Sequence, residues 1–250
     1  DIFALQDDIA MKILTALQVK LTEGEQARLH GKGTDNLEAY LKVLQGRGHL
    51  LDVNKESNVL ARQVIDEAIA LDPKYPAAYI MLARIHLVDI LLGWSNSPRQ
   101  SMARATELAQ KAIALDDSFP SGHDLLGWLY TMKRQHEKGI AEAERELALN
   151  PNFADSYFWL GMILHYAGRY EEAIPLLKKA IRLNPIPPSN YFFILGNAYQ
   201  LLGRYEESIA AYKKSFHRNR DYLVGHLRLA ATYSIGGREE EVRAEVAEVL

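Results

Sequence analysis

ADSYFWLGMILHYAGRYEEAIPLLKKAIRLNP, residues Ala154 to Pro185, is the stretch that decides the fold. Tyr157, Leu160, Gly161 and Leu164 fall on one stripe of a first helix, and Ala173, Leu177 and Ala180 on one stripe of a second. Apolar residues at such spacings mark amphipathic helices, so the two stripes are expected to face each other. Small residues at Gly161, Ala173 and Ala180 let the backbones approach while leucine and tyrosine fill the space between them. Gly168 sits where the first helix must end in a left-handed conformation, and Pro185 stops the second.

The same letters return along the chain. Gly127, Gly161, Gly196 and Ala230 stand 34, 35 and 34 residues apart, and Gly46 and Ala83 open the series upstream. A hairpin of two helices cannot bury its apolar stripe alone. Recurrence at this period therefore predicts stacked hairpins and a binding scaffold rather than a catalyst.

With its small-residue anchors, turn and terminal proline in these places, the unit resembles the tetratricopeptide repeat. The resemblance implies an all-α superhelix, an αα solenoid of about six hairpins. Three units depart from the pattern. Unit three carries Glu146 where Ala180 stands in unit four, so that hairpin is expected to splay or to send its carboxylate to solvent. Unit one has a loop around 52–58 that reads about three residues longer than the norm. Unit two has about ten extra residues, over 87–104, read either as an extended first helix with a looser turn or as a protruding ligand or partner site. The last unit, with Val242, Val246 and Val249 in its second helix, is expected to be truncated at Leu250.

Residues 1–34 read differently, as an N-terminal helical segment and linker ahead of a repeat domain over 35–250. Ile2, Leu5, Ile9, Ile13 and Leu17 predict an amphipathic helix over Phe3 to Val19, Thr22 and Glu25 a capping box, and Thr34 or Asp35 a further cap. The chain opens inside a helical pattern without methionine, as a piece of a longer protein does. The run Asp1-Ile2-Phe3-Ala4-Leu5-Gln6-Asp7, with Leu21-Thr22, Gly24-Glu25-Gln26-Ala27-Arg28, Glu38-Ala39-Tyr40 and Gly46-Arg47, resembles the junction of bacterial signalling proteins. In those proteins a TolB-like domain leads into tetratricopeptide repeats behind a class III adenylate or guanylate cyclase domain or a winged-helix regulator. No nucleotide- or metal-binding motif of a cyclase occurs here, so the resemblance places any cyclase activity in an absent domain.

The 29 basic and 32 acidic residues are interspersed and give a net charge of -3, which leaves no footprint for nucleic acid. Zero cysteines removes disulfides, thiolate metal sites and cysteine nucleophiles, and is compatible with either the cytoplasmic or the periplasmic side. The longest apolar stretch, Tyr79 to Trp94, is interrupted by Arg84, His86 and Asp89, so no direct membrane insertion is expected, although an upstream segment could tether the protein. His86, His123 and His226 take places that carry Tyr or Phe in other units and read as packed side chains. Gly236-Gly237 lacks the Lys-Ser/Thr of a phosphate loop. The expectation is no catalytic residue, no metal and no cofactor.

In superhelices of the resembled kind the first helix of each hairpin lines the concave face. Carried onto this sequence, that face includes Arg47, Arg84, Asp124, Trp128, Phe158, Met162, His165, Asn190, Phe193 and Asn197. Trp128, Phe158, Met162 and Phe193 are large and apolar yet not needed at signature core positions, which predicts an aromatic floor for a peptide groove. The alternative is that tight winding buries these rings between neighbouring units, or that the N-terminal helix fills the groove. Asparagines could hold an extended backbone through paired donors and acceptors. The lysines of a subclass that clamps terminal carboxylates are missing. The expected partner is a protein or peptide, or another domain of the same polypeptide. A structural spacer or homo-oligomerisation module is the competing expectation.

Overall fold

The structure, a computed structural model, describes residues 33–216 and 223–247. The expected helix at Phe3 to Val19, the Thr22–Glu25 box, His217 and Val249 lie outside the described residues. The described residues form twelve helices and no strand: α1 (Leu37–Leu51), α2 (Lys55–Leu71), α3 (Pro76–Leu91), α4 (Pro98–Leu115), α5 (Pro120–Met132), α6 (His136–Leu149), α7 (Ala154–Tyr166), α8 (Tyr170–Leu183), α9 (Ser189–Leu201), α10 (Tyr205–Ser215), α11 (Leu223–Ile235) and α12 (Glu239–Ala247). They follow one another as six hairpins. The chain packs as two compact units, one ending at Leu126 and the other beginning at Gly127.

In the first unit α1 packs on α2 and α3 on α4. Gly46 is the contact point of the first pair: a Cβ there would lie 2.6 Å from the Ile65 Cδ1. Ala39, Val43, Ala61, Ile65 and Ala68 close the hairpin with no exposed surface. The cap of α1 is neither Thr34 nor Asp35 but Asn36, whose side chain accepts from the Glu38 and Ala39 amides. Thr34 works one step earlier, accepting from the Asn36 amide and donating to Asp72 at the end of α2. Turn chemistry that bridges two helix ends is invisible to a cap rule that considers one end at a time.

The extra residues in the first unit lie mostly in helices. The α1–α2 turn covers only residues 52–54, the same three-residue length as the turns at 133–135, 167–169 and 202–204, so the expected longer loop is absent. Its additional residues lengthen α1 and α2 to 15 and 17 residues, against 13 and 14 for α7 and α8. In the next hairpin α3 extends to 16 residues and α4 to 18, with a six-residue turn at 92–97. That is the extended-helix reading of the insertion.

In the second unit the small residues again sit at the closest approaches. A Cβ on Gly127 would come 3.0 Å from the Gly139 carbonyl, one on Gly161 2.9 Å from Leu177 Cγ, and one on Gly196 2.7 Å from the Tyr212 ring. Ala173 and Ala180 are fully buried, and Ala230 and Ala83 are buried in their own hairpins. Tyr157 closes over the preceding unit by donating to the Pro151 carbonyl at 2.8 Å, as Tyr79 does to Pro73 in the first unit. Glu146 neither splays its hairpin nor reaches solvent. It is 3% exposed and accepts a 2.7 Å hydrogen bond from Ser156 on α7, which compensates a buried carboxylate where a small residue was expected.

Candidate protein-binding surface

The first helices of the hairpins carry the surface in question, and each compact unit presents its own part of it. In the first unit Arg84 on α3 reaches Asp124 on α5 at 3.3 Å, and Asp124 is buried. Arg47 on α1 is half-buried, and burial first, then the neighbouring Arg84 charge, moves its pKa below the usual guanidinium value. These three residues therefore form a connected polar strip.

In the second unit the four predicted large side chains divide. Phe158 and Met162 are buried, at 3% and 8% exposure. Phe158 stacks on Tyr191 of α9 with ring centroids 4.4 Å apart, and Tyr191 donates to Asp155, so consecutive units seal this seam. Burial, followed by the Asp155 charge, pushes the Tyr191 hydroxyl far above the ordinary phenol range. Trp128 and Phe193 are half-buried. Trp128 meets Tyr166 edge-on at 5.3 Å and lies 6.3 Å from Trp159, which extends the aromatic surface beyond the residues predicted. Asn190 is exposed. Asn197 is buried and its Oδ1 accepts from the Tyr212 hydroxyl at 2.7 Å.

His165 is 8% exposed, with its ring against Tyr166 and Tyr170. Burial first, and then the Arg228 charge, lowers its pKa to about 4, so the ring is neutral near pH 7. On α11, by contrast, Val224 and Leu227 are 48% and 50% exposed, an apolar surface on a first helix. Tyr212, Gln200 and Arg228 were not among the predicted site residues. The sequence held a signal for Tyr212, which occupies the place that Leu177 fills in unit four.

The other histidines are packed or hydrogen-bonded. His123 lies 3.0 Å from the Asp117 carbonyl, in the place of the Tyr157 latch. His226 stacks on Phe216 at 4.2 Å and meets Glu245 at 2.7 Å. His86 meets Arg62 at 3.1 Å, and burial, the Arg62 charge and a smaller Arg104 contribution take its pKa to about 4 against the pull of Asp89. Beside it the insertion encloses a polar cavity of about 370 Å³, lined by Asp89, Trp94, Gln100 and Arg104 among others. Among the described residues no group of histidines and carboxylates has the arrangement of a metal site, and no helix is long and apolar enough to cross a membrane.

Two stretches match models of the tetratricopeptide repeat, residues 154–186 and 189–222. A curated protein named "Putative adenylate cyclase 3" from Rhizobium meliloti (strain 1021) is 37% identical over 123 residues, 49% of this chain. The chain spans only 21% of that relative's length. Among solved structures, the Cut9–Hcn1 hetero-tetramer of APC/C aligns over 93% of this chain and 42% of its own, with a TM-score of 0.71 and 18% identity. TTC0263, a thermophilic TPR protein of Thermus thermophilus, aligns over 76% of this chain and 98% of its own, with a TM-score of 0.62 and 20% identity. YrrB, described as a TPR protein with an unusual peptide-binding site, covers 74% of this chain and 90% of its own at a TM-score of 0.50 and 18% identity. These three structures share the fold.

Proposed function

From a chain that belongs to the tetratricopeptide repeat proteins, we propose a scaffold that captures a peptide segment along the first helices of its second compact unit, within a bacterial signalling protein. The observation that carries the reading is the half-buried Trp128 and Phe193 together with the half-exposed Val224 and Leu227. Large apolar side chains left partly wet on first helices are what a bound segment would cover. Phe158 and Met162 act beneath that surface as its support, since both are already buried. The relative named as a cyclase supports the signalling setting: this chain would be the repeat region, and the segment captured would belong either to another protein or to another domain of the same polypeptide.

The test is capture by the purified chain, followed by peptide mapping of what is retained. Trp128→Ala and Phe193→Ala are expected to reduce capture of the mapped segment by about tenfold each, with the overall fold retained. Unchanged capture by both variants would reject the second unit as the binding surface. A change in assembly size in place of lost capture would favour the oligomerisation module.

A further inference from the structure

A chain of hydrogen bonds beneath the surface of the second unit fixes which way one of its amides points. Tyr212, fully buried on α10, lies under Gly196 and brings its hydroxyl out to α9, where it is 2.7 Å from Asn197 Oδ1 and 3.3 Å from Gln200 Oε1. The shorter contact takes the single hydroxyl proton. Gln200 in turn donates from Nε2 to the Thr232 hydroxyl on α11 at 2.9 Å. Thr232 spends its own proton on the Arg228 carbonyl at 2.8 Å, so it can only accept from Gln200. That requirement turns the Gln200 nitrogen toward α11 and its oxygen toward Tyr212.

Asn197 is the end of this chain. With Oδ1 committed to Tyr212, its NH₂ remains as a donor that bonds none of the described residues. The nearby charge has the matching sign. Arg228 is exposed on α11, and among the described residues its guanidinium has no carboxylate partner. Its positive field reaches both Tyr212 and His165, which places it over the same surface. His165 contributes no opposing charge because its ring is neutral near pH 7.

We propose that this patch binds the side-chain carboxylate of an acidic, extended peptide, with the Asn197 NH₂ as neutral donor, Arg228 as counter-charge, and Phe193 and Leu227 receiving the apolar neighbours. The inference rests on the second unit being the peptide-binding surface. It does not require the absent lysine clamp, because the cation comes from the next hairpin and an internal acid suffices. Tyr212 is a positioning residue: it holds Asn197 as a donor without touching the ligand.

Calorimetric titration of the full chain with a capped peptide alternating leucine and aspartate, against the same peptide carrying asparagine, tests it. The acidic peptide is expected to bind about tenfold more tightly at low salt and to lose that advantage as salt rises. Arg228→Gln and Asn197→Asp should each weaken the acidic peptide by about three- to tenfold. Tyr212→Phe should lower affinity for the acidic peptide and leave the asparagine peptide unchanged, a difference that loss of packing alone would not produce. Equal affinity for the two peptides, no binding of either at millimolar concentration, or selectivity untouched by Arg228→Gln would overturn the proposal. Arg228 is exposed, so its variant keeps the test decisive even if Tyr212→Phe fails to fold. If the asparagine peptide binds and Phe193→Ala abolishes it, the scaffold reading stands while the carboxylate inference falls.

Discussion

Replacing Gly196 by alanine sets two effects of opposite sign against each other. In a helix interior the new methyl contributes about 1 kcal/mol through propensity. At Gly196, however, an added Cβ would sit 2.7 Å from two Tyr212 ring carbons and 3.1 Å from a third. The ring is fully buried, 5.9 Å from Phe193, and its hydroxyl is committed to Asn197, so it has little room to retreat. Overpacking of this kind costs about 1–3 kcal/mol, and pulling the hydroxyl off Asn197 adds about 1 kcal/mol. The expected net loss is about 2 kcal/mol, read from urea unfolding followed by circular dichroism. Gly48→Ala on α1 is the control, because nothing lies within 4 Å of its Cβ, and it should gain about 1 kcal/mol. Enlarging Gly196 after Tyr212→Ala should cost at least about 1 kcal/mol less than in the parent chain. If Gly196→Ala proves as stabilising as Gly48→Ala, helix packing through these small residues is not what holds the hairpins together.

Val53 has a φ of 48° in the α1–α2 turn, a conformation that a β-branched residue adopts only at a cost. Val53→Gly should therefore stabilise the first unit by about 0.5–1 kcal/mol after the extra flexibility of the unfolded glycine chain is subtracted, measurable as a raised denaturation midpoint. Acidification should weaken the second unit. His165 has a folded pKa of about 4 against about 6.5 in the unfolded chain, so the unfolded state binds more protons between those values. Its contribution is complete above about pH 6.5 and falls by about 3 kcal/mol as pH drops to about 4. His165→Phe should remove that part of the pH dependence, and an unchanged acid transition in the variant would contradict it.

The hairpins were legible because a solenoid repeats its constraints. Gly127, Gly161 and Gly196 recur where two backbones touch, and that recurrence carried the fold without any single unit being decisive. Departures from the repeat were harder to interpret, since the sequence shows that a residue is different without showing what compensates for it. Glu146 was expected to disturb its hairpin, and the compensation came from Ser156, a hydroxyl on the next helix whose role no local pattern signals. The turn at 52–54 reads as a long loop until its central valine is seen in the left-handed conformation that glycine provides in the turns of units four and five. For the candidate surface, Phe158 and Met162 faced the expected side, but adjacent hairpins cover them, which is set by the winding of the stack and not by their own spacing.

Units four and five show how little sequence change separates packing from recognition. In unit four Leu177 fills the space under Gly161 with hydrocarbon alone. In unit five the equivalent Tyr212 fills the space under Gly196 and carries a hydroxyl through to Asn197 and Gln200. The small anchor residue is what permits this, because only a side chain without Cβ leaves a path for a ring between the helices. One residue of the buried layer thereby controls the orientation of an amide on the surface layer. The hydrogen bond that orients Asn197 also joins α10 to α9, and Gln200 extends the connection to α11 through Thr232. A ligand drawing on the Asn197 NH₂ would thus meet a donor already held in place, with the ordering cost met on folding and not on binding. Specificity in such a repeat is therefore to be sought where the buried position departs from leucine as much as on the inner face itself.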